Sequence, residues 1–216
     1  MKVGTDGVLL GAWAQSVSAE NILDIGTGTG LIAIMLAQRT MAMIDAVEIE
    51  ESSVTQAIEN INSCKWRKRI KVHHISFQDF YRNSPRKYQL IVSNPPYFTN
   101  SMKAPDKNRT TARHTYSLPF EELMQGVSVL LADNGRFCLI LPFEQGNVFI
   151  EDAKKHKLFC SKKVNVKPNN DKKPKRLLLE FCNKKQTTIE STLTIETEKR
   201  HIYSEDYKRL TKDFLI

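Results

Sequence analysis

Four residues, Asn94-Pro95-Pro96-Tyr97, form the segment of this sequence with the clearest chemical character. They follow an apolar run, 88–93, which predicts a buried strand. The two prolines must end that strand, because proline has no N–H to donate to a strand ladder. The turn therefore presents an amide, a carbonyl of fixed direction and an aromatic face at the carboxyl end of a strand, where open α/β sheets bind ligands. An exocyclic amino group on a flat ring fits these groups.

A glycine turn earlier in the chain predicts the second half of the site. Residues 21–30 predict a strand followed by a glycine turn, and residues 31–37 predict a buried helix. The turn has the pattern G-x-G-x-G at Gly26, Gly28 and Gly30. A dinucleotide site requires G-x-G-x-x-G instead. Asp24 stands just before the turn, where its carboxylate would repel a pyrophosphate but would suit a ligand that carries an ammonium and a sulfonium. S-adenosylmethionine carries both, and it is the predicted cofactor.

Three further residues are candidates for the same pocket. Glu48 ends the second predicted strand, about twenty residues beyond the glycine turn, where a carboxylate can accept both ribose hydroxyls. Asp79 and Phe80 lie in a predicted loop, 76–80, after the third strand, and Asp79 could accept from the adenine amino group. An acid in such a loop is often only a local cap. Asn94 completes the predicted cofactor contacts.

Methylation of an amino group is the reaction that these parts predict. An amine conjugated to an aromatic ring is a poor nucleophile, because its lone pair is delocalised. The Asn94 side-chain oxygen and the Pro95 carbonyl would accept its two hydrogens and favour a pyramidal nitrogen, and Tyr97 would stack on a base that has left its own stack. The proton leaves only after transfer, so no dedicated base is needed. The predicted catalytic residues are Asn94, Pro95, Pro96 and Tyr97.

The charge of the chain favours a polyanionic partner. A net charge of +8 and a pI near 9.3 fit nucleic acid, although a lysine-rich solvated surface would give the same values. Two basic segments could contact such a partner, namely a loop without apolar periodicity, 98–119, beside the predicted pocket, and a hairpin tip, 167–175. A solvated loop and a solubilising tip are the alternatives. The candidate nucleic-acid contacts are Lys103, Lys107, Arg109, Arg113, His114, Lys172 and Lys173.

The alternation of predicted strands and helices indicates a single α/β domain of 216 residues. We predict a Rossmann-like fold: a seven-stranded, mostly parallel sheet with helices on both faces, completed by an antiparallel hairpin of segments 159–166 and 176–182. Residues 1–20 would close over the cofactor, 21–155 would form the cofactor and catalytic core, and 156–216 would complete the sheet as hairpin and tail.

The cysteines and the apolar runs exclude several classes of protein. The four cysteines are widely spaced, with no C-x-x-C pair and no histidine at ligand spacing, so neither a zinc site nor a disulfide framework is expected. No apolar run approaches the ~20 residues of a membrane helix, and no signal peptide is recognisable at the N-terminus. We expect a cytoplasmic monomer with neither a metal nor a membrane partner.

The glycine turn followed by Asn-Pro-Pro-Tyr resembles the class I S-adenosylmethionine-dependent amino methyltransferases. Segments 2–13, KVGTDGVLLGAW, and 203–214, YSEDYKRLTKDF, extend the resemblance to the bacterial tRNA1(Val) N6-adenosine methyltransferase family. It implies methylation of the tRNA adenosine at position 37, just 3′ of the anticodon, with Thr5 and Asp6 near the methionine part of the cofactor. That family has a short segment before this opening which this sequence lacks, and we expect its absence to weaken cofactor closure or RNA binding.

Other functions share part of this pattern. The Asn-Pro-Pro-Tyr turn also serves glutamine-amide methylation of protein release factors, but those enzymes carry an N-terminal helical domain for which this chain has no room. DNA adenine methylation would need a target-recognition region, and none is visible. A binding module without catalysis would need neither the turn nor the glycines.

Overall fold

Eight strands form one sheet in the computed structural model, which describes residues 4–16, 18–96, 118–197 and 202–214. Their order across the sheet is β3-β2-β1-β4-β5-β7-β6-β8, and five of the seven pairings are parallel. The predicted α/β class and the hairpin are therefore confirmed. The strands are β1 Asn21–Ile25, β2 Met43–Glu48, β3 Ile70–His74, β4 Tyr88–Ser93, β5 Leu131–Pro142, β6 Phe159–Lys167, β7 Arg176–Cys182 and β8 Ile189–Thr194.

The helices cover the sheet from both sides. The α-helices of the described ranges are α1 Thr5–Trp13, α2 Leu31–Arg39, α3 Glu51–Asn62, α4 Phe77–Asn83, α5 Phe120–Leu130, α6 Phe143–Ala153 and α7 Glu205–Thr211, with short 3-10 helices at Arg67–Arg69 and Lys154–His156. Helices α1, α2, α3 and α7 contribute to one apolar core, and α4, α5 and α6 contribute to the other. Residues of β4 alternate between the two cores, with Leu90 and Val92 on one side and Ile91 on the other, because successive strand residues face opposite ways.

Two features of the fold differ from the sequence prediction. The sheet has eight strands instead of seven, because the tail adds β8 at the edge, parallel to β6. Only Leu193 of that strand is buried, so the sequence carries no apolar signal there. The predicted loop 76–80 is instead the start of helix α4, since the Ser76 hydroxyl accepts from the Asp79 N–H and caps the first turn.

The pairing register decides which residues meet at the carboxyl edge of the parallel strands. Ile25, the last residue of β1, pairs with Val47 on one side and with Ser93 on the other. The residues that follow these three strands therefore lie at one edge. Strand β7 runs antiparallel to β5 and pairs Arg176 with Pro142, so the hairpin tip 167–175 lies at this edge as well.

A buried polar cluster ties together the strands on either side of β1. Asp45 on β2 is only 7% exposed, and its carboxylate lies 2.7 Å from His73 Nε2, 3.0 Å from Arg86 Nη1 and 2.9 Å from the Tyr88 hydroxyl. Burial would raise the pKa of Asp45, but the hydrogen bonds from His73 and Tyr88 and the nearby positive charges hold it below its usual value. The carboxylate therefore stays ionised and joins β2, β3 and β4.

Replacing Tyr88 by Phe should lower the free energy of unfolding by about 2 kcal/mol, because the buried Asp45 carboxylate then loses a hydrogen-bond donor. Urea denaturation at neutral pH measures the effect. Tyr203, which is 41% exposed, offers the matched control, and Tyr203→Phe should change stability by less than about 0.5 kcal/mol. Equal losses in the two variants would contradict this account of the cluster.

None of the helices in the described ranges combines the length and apolarity required to cross a membrane. Within the same ranges, no group of three or more His, Cys, Asp or Glu side chains is arranged to hold a metal ion. All four cysteines are free thiols.

Candidate active site

The glycine turn leaves open space above its backbone. Gly26, Gly28 and Gly30 have φ values of +67°, +57° and +82°, in the left-handed region that side-chain-bearing residues rarely adopt. A Cβ placed on Gly26 or Gly28 would meet no described heavy atom within 4 Å, whereas one on Gly30 would lie 3.4 Å from Ile61 of α3. The first two glycines therefore keep a cradle open, and the third allows close packing against α3.

Hydrogen bonds from the turn to β2 hold this cradle in place. The N–H groups of Gly26 and Thr27 both donate to the Val47 carbonyl, at 2.9 and 3.1 Å. The Gly28 N–H donates to Glu48 Oε2 at 2.9 Å. The turn is thus fixed against the end of the neighbouring strand, and its shape does not depend on a ligand.

Asp24 lies at the floor of the cradle and is fully buried. Its Oδ2 accepts from the Thr27 hydroxyl at 2.6 Å, but Oδ1 has no hydrogen-bond partner among the described residues. Burial raises the pKa of Asp24 to about 7, against the lowering effect of the Thr27 hydroxyl and the Ala33 N–H, and the Glu48 carboxylate adds a smaller rise. A cation near Oδ1 would stabilise the ionised form of this carboxyl group.

Glu48 presents a fixed carboxylate at the rim. Its Oε1 accepts from the N–H groups of Ile49 and Glu50 at 2.9 and 3.0 Å, while Oε2 accepts from Gly28. The side chain is half-buried. Oε2 accepts only one hydrogen bond from the described residues and therefore retains acceptor capacity for a ligand hydroxyl. The structure therefore brings Glu48 to the glycine turn, and its role in ribose binding stays a prediction.

Asn94 and Pro95 lie directly beyond β4, beside the glycine turn. The Ser93 hydroxyl donates to the Ile25 carbonyl at 3.0 Å, which joins the ends of β4 and β1. Asn94 is half-buried, Pro95 is buried and Pro96 is exposed. The structure thus brings the Asn-Pro-Pro part of the predicted catalytic turn to the cofactor candidates. Tyr97 lies outside the described residues.

The first turn of α1 also reaches this site. A Cβ on Gly7 would lie 4.0 Å from Asn94 Nδ2 and 3.2 Å from Leu31 Cδ2, so the helix start passes close to both. Thr5 is exposed, and Asp6 Oδ2 accepts from Arg176 Nε at 2.8 Å. Sequence reasoning missed Arg176, because no local pattern links residues on α1 and β7 that are separated by 170 positions.

Asp79 and Phe80 are engaged in local contacts. The Ser76 hydroxyl donates to Asp79 Oδ2 at 2.6 Å, and the Asp79 side chain is 60% exposed. The Phe80 ring is buried against the His73 ring at 5.1 Å between centroids. These contacts fit a helix cap and a core residue, and the predicted contact of this pair with adenine stays a prediction.

The basic candidates divide into two groups. Lys172 and Lys173 are exposed on the hairpin tip, at the same edge of the sheet as Asn94. The remaining candidates lie outside the described residues: Lys103, Lys107, Arg109, Arg113 and His114.

Comparison with known proteins identifies relatives that span this chain. A family model for the methyltransferase small domain matches residues 4–115. A protein from Parabacteroides distasonis named tRNA1(Val) (adenine(37)-N6)-methyltransferase is 46% identical over 217 residues, covering 100% of this chain and 91% of the relative. A protein of the same name from Trichodesmium erythraeum is 48% identical over 219 residues, with the same coverage of 100% and 91%.

A solved structure supports the fold independently. The crystal structure described as a predicted O-methyltransferase from Agrobacterium tumefaciens aligns with a TM-score of 0.75 and covers 96% of each chain. Its sequence identity of 16% shows the fold alone. The family is shown by the full-length relatives, and the chain belongs to the tRNA1(Val) (adenine(37)-N6)-methyltransferase family.

Proposed function

We propose that this protein uses S-adenosylmethionine to methylate N6 of an adenosine in tRNA, at position 37 of tRNA1(Val). The observation that carries the proposal is the Asn94-Pro95-Pro96 turn beside an open glycine turn, at one edge of the sheet. The names of the full-length relatives support the choice of tRNA and of position 37. Transfer RNA is a cytoplasmic substrate, so the proposed location is the cytoplasm.

The residues around the glycine turn fit an adenosyl cofactor. Open space over Gly26 and Gly28 admits a ligand close to the backbone. Asp24 Oδ1, which is buried without a partner among the described residues, fits a positively charged group, and the Glu48 carboxylate fits the ribose hydroxyls. When bound, S-adenosylmethionine supplies an electrophilic methyl group at this edge.

The protein groups act on the adenine amino nitrogen. The Asn94 side-chain oxygen and the Pro95 carbonyl accept its two hydrogens, which withdraws the lone pair from the ring and directs it outward. Fixed acceptors of this kind lower a barrier without reorganising during the reaction. The nitrogen releases its proton to solvent after transfer, so the mechanism requires no histidine or carboxylate base.

The hairpin tip supports binding of a polyanion. Lys172 and Lys173 lie on the same edge as Asn94, so a phosphate backbone that crosses the edge would meet them as the base enters the site. The candidates between 103 and 114 would extend this surface. Phosphate contacts of this type position the RNA and carry little sequence information.

Asn94→Ala should reduce methyl transfer by at least about 100-fold, because one of the two acceptors for the amino hydrogens is lost. The assay incubates the protein with labelled S-adenosylmethionine and total tRNA, followed by mass spectrometry of the nucleosides. Affinity for S-adenosylhomocysteine, measured by calorimetry, should stay within about threefold of wild type. A threefold change corresponds to less than about 1 kcal/mol of binding free energy.

Asn62→Ala, at the exposed end of α3, is the matched control and should keep full activity. Unchanged activity of Asn94→Ala would show that the nitrogen is positioned by other groups. Unlabelled tRNA together with a labelled protein glutamine would replace the proposed substrate with that of a glutamine methyltransferase.

Asp24→Asn should become more stable relative to the wild-type protein as the pH rises from 5 to 8. The pKa of Asp24 is about 7 in the ligand-free fold against an ordinary value of 3.8, so the folded state holds a proton that the unfolded state releases. Wild-type stability therefore falls by about 1.4 kcal/mol per pH unit up to about pH 7, and then the loss stays constant. The asparagine does not titrate.

Thermal melts of the two proteins across this pH range measure the difference, in which the other titrating groups cancel. The same substitution should weaken binding of S-adenosylhomocysteine by about tenfold or more, because a charge-assisted contact is lost. A difference in stability that does not depend on pH, or unchanged affinity, would contradict the proposed role of Asp24.

Replacing Lys172 and Lys173 by Gln together should weaken tRNA binding and flatten its dependence on salt. Each lost phosphate contact reduces the slope of log affinity against log salt by about one. Titrations between low and physiological salt measure the slope. The double change Lys154→Gln and Lys155→Gln, which lies before β6 at the opposite edge, should leave the slope unchanged. Equal slopes in all three proteins would rule out the hairpin tip as a phosphate contact.

A further inference from the structure

An ion pair joins an early and a late part of the chain at the edge that carries the candidate active site. Asp6 Oδ2 and Arg176 Nε are 2.8 Å apart, and their side chains are 22% and 33% exposed. The pair is therefore partly shielded from solvent, where a charge-assisted hydrogen bond is stronger than at a fully exposed site.

The ion pair lies where it can fix the start of α1. Asp6 is in the first turn of that helix, and the neighbouring Gly7 passes close to Leu31 and Asn94. Arg176 begins β7 opposite Pro142, at the end of β5. The pair thus links the first turn of α1 to a strand of the sheet, on the side of Asn94 away from the glycine turn.

Helix α1 depends on such contacts because it is short and has no side-chain cap at its N-terminus. It spans Thr5–Trp13, and its N-cap residue is Gly4, which cannot donate or accept through a side chain. At the other end, Arg39 donates to the carbonyls of Gly11, Ala12 and Ala14 at 2.5, 2.8 and 2.8 Å. Helices of this length are marginal without tertiary contacts. One arginine therefore fixes the end of α1, and Arg176 fixes its start.

We propose that Arg176 is a positioning residue for cofactor binding, acting through Asp6. By holding the Asp6 carboxylate and the first turn of α1 beside Asn94, it sets the wall of the pocket that faces the methionine part of the cofactor. The inference rests on the proposed cofactor site, and the family resemblance implies that Asp6 lies near the methionine part of that site. Arg176 itself does not touch the reacting atoms.

Calorimetric titration with S-adenosylhomocysteine tests the proposal without tRNA. Arg176→Gln should raise the Kd about fivefold, whereas Arg176→Lys, which keeps the positive charge, should stay within about twofold of wild type. Lys175→Gln is the matched control, because it removes the same charge one residue away on an exposed side chain, and it should leave the Kd unchanged. Melting temperatures of the ligand-free proteins report whether each variant is folded.

A double-mutant cycle separates positioning from a general loss of charge. If Arg176 acts through Asp6, the pair Asp6→Asn and Arg176→Gln should bind no more weakly than Asp6→Asn alone, within about twofold. Additive losses, an unchanged Kd in Arg176→Gln, or an equal loss in Lys175→Gln would each overturn the proposal. Should Arg176→Gln fail to fold, Arg176→Met, which keeps most of the aliphatic stem but not the charge, replaces it in the cycle, and additive losses overturn the proposal likewise. Failure of the wild-type protein to bind S-adenosylhomocysteine would instead refute the proposed cofactor site.

Discussion

The carboxyl group of Asp24, buried at the end of β1 with one oxygen hydrogen-bonded and the other unpartnered among the described residues, is the constraint on which the site depends. Keeping such a group inside the fold costs free energy at neutral pH. Three backbone contacts from the glycine turn to Val47 and Glu48 hold the surrounding loop in spite of that cost. In the ligand-free protein this group is neutral when it holds a proton, and a bound cation would favour its ionised form.

The rest of the site supplies acceptors and fixed geometry in the part of the chain that the structure describes. Asn94 and Pro95 are held by β4, whose end is joined to β1 through the Ser93 hydroxyl. The Glu48 carboxylate accepts hydrogen bonds from the N–H of Gly28 in the glycine turn and from the N–H of Ile49, the next residue in the chain. A site of this kind suits a reaction in which the amino nitrogen must be oriented and its lone pair withdrawn from the aromatic ring. The nitrogen loses its proton only after the methyl group has been transferred.

The sequence allowed the catalytic half of the fold to be predicted well, because its signals are local. A buried strand followed by alternate glycines, and another followed by Asn-Pro-Pro, identify β1, β4 and the edge where they meet. Helix α4 was wrongly predicted as a loop, since its cap depends on a single serine, Ser76. Strand β8 was missed because it is an edge strand with one buried residue, Leu193.

Contacts between residues far apart in the chain could not be predicted from the sequence. The pair of Asp6 and Arg176 depends on the antiparallel course of β7, and the cluster around Asp45 depends on three strands meeting in one register. Neither leaves a pattern within a window of neighbouring residues. The assignment of tRNA likewise came from family resemblance, since basic charge alone does not distinguish a substrate from a solvated surface.

The reversed direction of β7 has a consequence for how the substrate preference of this family could change. Because β6 and β7 are adjacent and antiparallel, their connection can be lengthened, shortened or exchanged without shifting the pairing of either strand. That connection opens onto the same edge as Asn94, while the glycine turn and Glu48 lie on the other side of β4. Evolution or design could therefore graft a new recognition loop between Lys167 and Arg176 and retain the methylating machinery intact.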